Sequence, residues 1–210
     1  LKDQIMQLFY APNTISMSVA IALHEAGLGH ELTRVDFTKA GQTSDAYLAK
    51  NPKGRVPTLI VGDKALTETG ALLEYIAALV PEKKLVPSDP LQAFKMRSVM
   101  FYLASTMHVN HAHKMRGSRW ADQQTSCDDM TSKVPQTMAT SASYIEDECL
   151  QGPFILGDTF CVADIYLFNV CTWLPGDGVE VKNYPKLTAH MAAMETRASV
   201  QKIRELGILT

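Results

Sequence analysis

A valine–proline pair directly before a short apolar run is the feature that most constrains this chain. Pro57 precedes residues 58–61, a β-branched and apolar run that predicts a short buried strand. A proline at a strand entrance interrupts no ladder hydrogen bond, and the bond before it becomes cis at a cost of only about 0.5–1 kcal/mol. A cis bond would turn the Val56 main chain outward, where an extended peptide could pair with it as an added strand does. The sequence therefore predicts a peptide-binding position at Val56 and Pro57.

A polar helix start follows this strand. Glu68 and Thr69 stand before Gly70 and a mostly apolar run, a pattern that predicts a helix beginning with hydroxyls and a carboxylate. The free N–H groups at a helix start attract a carboxylate, while a glutamate side chain pairs with an ammonium group. Together these groups would receive the zwitterionic end of a peptide.

Strand and helix patterns alternate over residues 1–80. The predicted order is a strand at 5–10, a helix capped by Ser16 or Thr14 and stopped by Gly27, and a strand at 32–37. A short helix at 44–50, a hairpin around residues 62–63 and a helix at 69–80 follow. The order is βαβ followed by ββα, which predicts a thioredoxin-like N-terminal domain.

Everything after a charged, proline-rich linker at 81–90 is predicted to be helical. We therefore expect an α/β domain followed by an all-helical C-terminal domain at 91–210. In that domain one side of the first helix is expected to carry residues at helical spacing: Leu91, Phe94, Ser98, Phe101, Ala104 and Met107 or His108. A second long helix is predicted at about 133–150, with Pro135 near its first turn, and one last helix from Pro185 onward. Residues 157–173 are apolar on almost every face and predict a buried central helix.

Composition excludes several classes of protein. The formal net charge of the 210 residues is -2, so no basic field favours nucleic acid, and no apolar run approaches the roughly 20 residues that span a bilayer. Residues 1–4 lack the pattern of a signal peptide. The four cysteines are widely spaced without a Cys-x-x-Cys pair, so we expect free thiols, no metal site and a cytoplasmic location.

Residues 51–76 resemble the glutathione-binding half of the glutathione S-transferases, most closely the bacterial beta class, and residues 6–28 and 154–168 extend the resemblance. It implies that Val56 pairs with the cysteinyl backbone of glutathione beside Pro57, and that Glu68 and Thr69 hold the γ-glutamyl group. Further glutathione-binding residues that it implies are Asn13, Lys39 and Arg55, with Lys53 as the alternative to Lys39. Asp164 matches the acid of a family capping box in which Cys161 replaces the usual hydroxyl, unless Thr159 substitutes.

The beta-class opening carries a cysteine at the position of Ile15, so a different group must ionise the glutathione thiol. A thiol with a pKa of about 8.5 is only about 3% ionised at pH 7, and lowering the pKa by about 2 units makes it mostly thiolate. We expect Ser16 to supply the hydroxyl, with Thr14, Tyr10 or the amides of the helix start as alternatives. His108 matches a family histidine that reaches the sulfur; otherwise it is an ordinary surface or domain-interface histidine.

The resemblance implies conjugation of the glutathione thiolate to an electrophilic, mostly apolar second substrate. Glutathione would be a co-substrate, with no other cofactor, no metal and no nucleic acid or membrane partner, and the family implies a homodimer. The alternatives are a non-catalytic binding or regulatory protein of the same fold, and another glutathione-dependent enzyme such as an isomerase or dehalogenase. Generic apolar residues would line the electrophile pocket: Phe101, Tyr102, Met115 and Trp120.

Overall fold

The computed structural model describes residues 5–210, so residues 1–4, on which the signal-peptide expectation rests, lie outside the described residues. By internal packing the described chain divides into two compact units. The first unit comprises residues up to 88 together with 195–210, and the second comprises residues 89–194. No helix among residues 5–210 is both long and apolar enough to cross a membrane.

A mixed four-stranded sheet forms the centre of the first unit. The strands are β1 (Met6–Tyr10), β2 (His30–Arg34), β3 (Thr58–Val61) and β4 (Lys64–Leu66), in the order β2-β1-β3-β4. β1 pairs parallel with β2, while β3 pairs antiparallel with both β1 and β4. The helices are α1 (Ser16–Ala26), α2 (Asp45–Leu48) and α3 (Thr69–Leu79), and α1 packs against α3. The predicted thioredoxin-like βαβ-ββα order is confirmed.

The second strand ends earlier than the sequence predicts. β2 leaves the sheet after Arg34, and a short 3-10 turn follows at Phe37–Lys39. Asp36 caps this turn by accepting the Thr38 N–H at 3.0 Å. Because Asp36 can satisfy a turn better than a strand, the apolar Phe37 does not extend the strand.

The second unit is helical, as predicted. It contains α4 (Pro90–Tyr102), which continues through a π-helical turn (Leu103–Met107) into α5 (His108–Arg116), followed by α6 (Gln124–Tyr144), α7 (Val162–Cys171) and α8 (Pro185–Glu195). Asp89 caps α4 by accepting the Gln92 N–H at 2.9 Å. Every residue of α7 is buried, which confirms the predicted central helix.

A buried capping box fixes the start of α7. Asp164 accepts the Cys161 N–H and the Ile155 N–H, both at 2.8 Å. The Cys161 sulfur takes the place of the usual hydroxyl at the N-cap. Asp164 therefore has the structural role that the sequence predicts, and Cys161 rather than Thr159 occupies the cap.

Leu91, Phe94 and Phe101 lie on one side of α4, as the sequence predicts, but this side is exposed and does not face the core. Leu91, Phe94 and Phe101 are 61%, 65% and 72% exposed. The buried side of the helix is shifted around its axis and carries Ala93, Met96, Val99 and Met100. Both sides have apolar residues at helical spacing, and the sequence pattern alone does not say which side meets the core.

Two helix boundaries also differ from the predictions. α6 begins at Gln124 rather than near residue 133, so Pro135 lies inside the helix and not in its first turn. An internal proline removes one hydrogen bond but does not stop a helix that is held by packing, and Val134 and Met138 are buried on either side of it. The single last helix predicted from Pro185 is divided into α8 and α9 (Ala198–Glu205).

The helix α9 packs with the first unit, whereas the predicted domain division placed it with the second. Val200 and Ile203 are buried, and α9 contacts α1. At the start of α9, Arg197 donates to Glu25 at 2.6 and 2.9 Å, and Ser199 donates to Glu25 at 2.6 Å. Burial would raise the pKa of Glu25, but these hydrogen bonds and the Arg197 charge hold it below its usual value.

Candidate glutathione site in the first unit

Sheet topology brings three polar segments to one end of the sheet. β1 ends at Tyr10, and the antiparallel register sets Phe9 opposite Thr58 at the start of β3. β4 ends at Leu66, which is opposite Leu59. One end of the sheet therefore carries three chain segments: the turn after Tyr10, the Val56–Pro57 pair, and the start of α3 after Leu66.

Val56 has a buried side chain, but its main-chain N–H and C=O groups make no hydrogen bond with the described residues. The Val56–Pro57 bond is cis, as the sequence predicts. The Val56 side chain packs in a small core with Phe9 and Tyr47. Among the residues that the structure describes, none forms a hydrogen bond with the Val56 N–H or C=O. Both groups therefore remain open to an extended ligand backbone.

A hydrogen-bond network that sequence reasoning missed holds the chain next to Val56. The Arg55 carbonyl accepts from the Tyr47 hydroxyl and the Asn51 amide, each at 2.7 Å. The same two side chains reach the Thr58 hydroxyl at 2.9 and 3.0 Å. Burial raises the pKa of Tyr47, so its hydroxyl stays protonated. Asn51 before a proline was a visible turn signal, but its pairing with Tyr47 required the folded chain.

Glu68 stands at the start of α3 in an unusual conformation. Its φ of 76° and ψ of 110° lie in a region that side-chain-bearing residues rarely adopt. It occupies the N-cap position but forms no side-chain cap hydrogen bond, while Thr69 behind it is buried. The Glu68 carboxylate is exposed and takes a hydrogen bond from Lys53 Nζ at 2.5 Å. A carboxylate and uncapped helix N–H groups thus lie together, as predicted for a zwitterionic ligand end.

The turn before α1 holds Ser16 in a local hydrogen-bond network, and its predicted catalytic role stays a prediction. Ser16 is fully buried, and its hydroxyl accepts the Ala11 N–H at 3.1 Å and lies 2.7 Å from the Thr14 hydroxyl. Ile15 occupies the N-cap position and makes no capping hydrogen bond, while the Thr14 hydroxyl accepts the N–H of Ser16, the first residue of α1, at 3.4 Å. The Ser16 hydroxyl therefore bonds within the turn, and the half-buried Thr14 is the hydroxyl residue of this turn that retains exposed surface.

Asn13 and Tyr10 flank this turn. Asn13 has a φ of 55°, and its side-chain amide donates to the Thr210 hydroxyl at 2.8 Å. The half-buried Tyr10 ends β1, and its carbonyl accepts the Val35 N–H at 2.7 Å. The glutathione-binding role of Asn13 and the catalytic role of Tyr10 stay predictions.

The two predicted basic residues of the first unit have exposed side chains. Lys39 Nζ is 3.9 Å from Asp36 Oδ2 in the turn after β2. The hydrogen bond from Thr38, together with the nearby positive charges of Lys39 and Arg34, lowers the pKa of Asp36. The Arg55 side chain is exposed beside a carbonyl that Tyr47 and Asn51 fix. Their contacts with glutathione stay predictions, as does the alternative, Lys53.

The predicted histidine of the second unit packs against tryptophan. The His108 ring centroid is 5.0 Å from that of Trp173, and the His111 ring stacks on the same tryptophan at 4.2 Å. His111 Nδ1 lies 2.7 Å from the buried Asp177 carboxylate. His113 instead contacts Trp120, with ring centroids 4.6 Å apart. Among residues 5–210 no group of three or more histidine, cysteine or acidic residues is arranged to hold a metal ion.

The four residues predicted for the electrophile pocket have different surroundings in the second unit. Tyr102 is half-buried, with its hydroxyl 3.2 Å from Ser141 and its ring 4.5 Å from Tyr144. Phe101, Met115 and Trp120 are exposed. No aromatic pair found among the described residues joins Phe101 to Trp120. A common pocket for these residues stays a prediction.

The four cysteines all lie in the second unit, and three of them are buried. Cys127, Cys149, Cys161 and Cys171 are all free, as predicted. Burial raises the pKa values of Cys149, Cys161 and Cys171 above the ordinary value. Buried thiols of raised pKa are poor nucleophiles, so thiol chemistry at this site would have to come from a ligand.

Known proteins are similar to this chain in sequence and fold. Residues 5–78 match the family description "Glutathione S-transferase, N-terminal domain", and residues 111–205 match "Glutathione S-transferase, C-terminal domain". Glutathione S-transferase GST-4.5 of Xanthomonas campestris pv. campestris is 30% identical over 202 residues, covering 93% of this chain and 96% of that protein.

Two solved structures extend the comparison. A glutathione transferase homologue from Sulfitobacter, solved with bound glutathione, is 56% identical with a TM-score of 0.97, covering 98% of this chain and 99% of that one. The bacterial beta-class glutathione S-transferase of Sphingomonas chungbukensis is 28% identical with a TM-score of 0.82, covering 96% of this chain and 98% of that one. This chain belongs to the glutathione S-transferase family, a family of transferase enzymes.

Proposed function

We propose that this protein binds glutathione in its first unit and transfers the glutathionyl group to an apolar carbon electrophile. The observation that carries the proposal is the main chain of Val56, whose N–H and C=O have no hydrogen-bond partner among the described residues. The cysteinyl backbone of glutathione would pair with both groups, as an added strand pairs with a sheet edge. The network around the Arg55 carbonyl supports this mode, because it fixes the neighbouring chain before any ligand arrives.

The γ-glutamyl end of glutathione would bind at the start of α3. Its ammonium group would pair with Glu68, while its carboxylate would accept N–H groups around Thr69. Lys53 already pairs with Glu68, so the incoming ammonium would share or displace that contact. The glycine carboxylate at the other end of the ligand would meet Lys39 or Arg55, whose side chains are exposed.

We assign the thiol donor to Thr14 rather than to Ser16. The Thr14 hydroxyl donates to the Ala11 carbonyl at 2.8 Å and lies 2.7 Å from the Ser16 hydroxyl, and Ser16 itself is buried. Thr14 would turn its O–H from the Ala11 carbonyl towards the sulfur and donate a hydrogen bond to the thiolate, while the Ser16 hydroxyl holds the Thr14 oxygen from the buried side. A hydrogen bond to the ionised form lowers the pKa of the thiol, which is what catalysis requires near pH 7.

The remaining assignments concern the second substrate, the location and the assembly. His108 would assist at the sulfur, and an apolar electrophile would use residues drawn from Phe101, Tyr102, Met115 and Trp120. Four free cysteines support a cytoplasmic location, where thiols stay reduced. The exposed apolar residues on α4 support a homodimer, because such a row is costly to leave in water.

Replacing Glu68 with glutamine tests the binding half of the proposal. Glu68→Gln should weaken glutathione binding about 10- to 100-fold, because a hydrogen bond to a charged group contributes roughly 1.5–3 kcal/mol. Its exposed side chain contributes little to folding, so the melting temperature should stay near that of the parent. Isothermal titration calorimetry measures the affinity, and Glu31→Gln, an exposed residue on β2, is the matched control.

An activity panel of carbon electrophiles tests the catalytic half. The parent should form glutathione conjugates with at least one apolar electrophile such as a chloro-aromatic compound. Equal glutathione affinity in Glu68→Gln and parent would contradict the binding mode. A parent that binds glutathione but conjugates none of the electrophiles would support the non-catalytic alternative instead.

A further inference from the structure

The turn that carries Thr14 is tied to a segment almost two hundred residues away in the sequence. The Asn13 N–H donates to the Ile208 carbonyl at 3.0 Å. The Asn13 side-chain amide donates to the Thr210 hydroxyl at 2.8 Å, and its carbonyl oxygen accepts the Thr210 N–H at 3.1 Å. We call these contacts the tail clamp; it consists of Asn13, Ile208 and Thr210.

The clamp holds Asn13 in a backbone conformation that few side chains tolerate. Its φ of 55° is left-handed, a region that asparagine adopts more readily than most residues with a side chain. The next residue is Thr14, whose hydroxyl bonds to the Ala11 carbonyl and faces Ser16. A change in the Asn13 dihedral angles would therefore move the main chain of Thr14 relative to its partners Ala11 and Ser16.

The far side of the clamp is itself anchored. Ile208 and Leu209 are buried, and the Ile208 N–H donates to the Ile203 carbonyl at the end of α9 at 2.9 Å. At the other end of α9, Arg197 and Ser199 bind Glu25 near the end of α1. Contacts with α9 and the residues after it therefore occur at both ends of α1: at Asn13, in the turn before α1, and at Glu25, near its end. The clamp residues Ile208 and Thr210 are thus held in place by a packed helix.

We propose that Asn13 is a positioning residue, which with Ile208 and Thr210 holds the main chain of Thr14 where its hydroxyl can turn from the Ala11 carbonyl to the thiol of bound glutathione. This inference rests on the proposed function, because it assigns the purpose of the clamp to the same thiol site. The sequence predicts Asn13 as a glutathione contact, but both polar atoms of its side chain bind Thr210. Its effect would then pass through Thr14 and not through the ligand.

Two substitutions test the clamp. Asn13→Gly keeps the left-handed backbone accessible and removes both side-chain hydrogen bonds. Thr210→Val keeps the shape of the side chain and removes only the hydroxyl that Asn13 contacts. Arg204→Gln is the matched control, because Arg204 lies in α9, just before the clamp residues, and its ion pair with Glu195 does not involve Asn13.

The readouts separate a positioning effect from lost binding or folding. For Asn13→Gly we expect kcat to fall about tenfold, since displacement of catalytic groups by ~1 Å costs up to roughly 100-fold. The pKa of the bound glutathione thiol, followed by the ultraviolet absorbance of the thiolate against pH, should rise. Glutathione affinity by calorimetry should stay within about twofold, because Val56 and Glu68 hold the ligand elsewhere. Thr210→Val should change kcat and the thiol pKa in the same directions by less, and Arg204→Gln should change neither.

The outcomes are distinguishable. A parent that does not bind glutathione overturns the proposed function and the inference with it. A parent that binds and conjugates glutathione, with kcat and thiol pKa unchanged in Asn13→Gly and Thr210→Val, overturns the clamp alone. If Asn13→Gly does not fold by circular dichroism, Thr210→Val decides the question on the same two readouts.

Discussion

Glu68 combines three features that do not stabilise the fold. Its backbone conformation is unfavourable, its carboxylate is exposed, and its position at the start of α3 gives that helix no side-chain cap. The unfavourable backbone costs roughly 1–3 kcal/mol, and the missing N-cap costs about 0.5–2 kcal/mol. Ligand binding can offset such a cost in the free protein, which agrees with the proposed pairing of Glu68 with an ammonium group.

The hydroxyl of Thr14 should be required for catalysis. Thr14→Val keeps the shape of the side chain and removes the proposed donor, so kcat/KM should fall about 100-fold or more, as for other lost transition-state donors. Ser16→Ala should have a smaller catalytic effect and should destabilise the fold by about 1 kcal/mol, because the buried Ala11 N–H loses its acceptor. Steady-state kinetics and urea unfolding measure the two effects.

A matched variant separates Thr14 from the other candidate donor. Tyr10→Phe removes the tyrosine hydroxyl and should leave the rate near that of the parent. A large loss in Tyr10→Phe with normal activity in Thr14→Val would assign the donor to Tyr10. A large loss in Ser16→Ala with normal activity in Thr14→Val would restore the direct role that the sequence predicts for Ser16.

Local sequence signals predict most of the helices and strands, whereas packing determines which helix faces are buried. The hairpin of β3 and β4, the cis bond before Pro57 and the buried α7 all follow from turn residues, proline chemistry and apolar runs. The exposed face of α4 does not, because two apolar faces compete and only the neighbouring helices choose between them. Tyr47 was missed for a related reason: its function depends on contacts with Arg55 and Thr58 that only the folded chain brings together.

The helix α8 carries a buried histidine that links stability to pH. His190 is fully buried and donates its Nδ1 proton to the Pro153 carbonyl at 3.0 Å. Burial lowers the pKa of His190 from 6.5 to about 4, although the Asp164 carboxylate lies 3.9 Å away. The folded state thus favours neutral His190, and this contribution is fully present above pH 6.5 and is lost as the pH falls towards 4.

The expected size of this effect is measurable. A shift of this size corresponds to about 3 kcal/mol of unfolding free energy lost between pH 6.5 and 4. His190→Asn keeps a donor near the Pro153 carbonyl and does not titrate, so its stability should fall less over the same interval. Urea unfolding at several pH values gives both curves, and carboxylates elsewhere affect both proteins alike. Parallel curves for parent and His190→Asn would contradict the assignment.

At the scale of the whole molecule, the first unit is completed by residues distant in the sequence. Residues up to 88 form the sheet and its helices, but α9 and the tail clamp come from residues 195–210. The Glu25–Arg197 ion pair and the buried Ile203 join the two parts. The sequence predicts that α9 belongs to the helical domain, because α9 follows the other helices in the chain. Its local residue pattern does not indicate which surface it packs against.

The row of exposed apolar residues on α4 gives the prediction for the assembly. Leu91, Phe94 and Phe101 are spaced three and seven residues apart, so they lie along one face of the helix. Burying a phenylalanine or leucine side chain contributes about 1.5–3 kcal/mol, so a second copy of the chain covering this row would gain considerably. Phe94→Glu should shift the protein from the mass of two chains to the mass of one at micromolar concentration, because the interface would then contain an unpaired charge.

Light scattering coupled to gel filtration measures the mass, and the control is Ile5→Glu, which alters an exposed apolar residue of the first unit. Ile5→Glu should leave the mass of the parent unchanged. Phe101 shares the row with Phe94, so Phe101→Glu should also give single chains if it belongs to the interface, whereas a role in the electrophile pocket alone would change substrate KM and leave the mass as it is. A parent protein that is already a single chain, or a Phe94→Glu protein that keeps the mass of two chains, would show that this face of α4 does not bind a second copy.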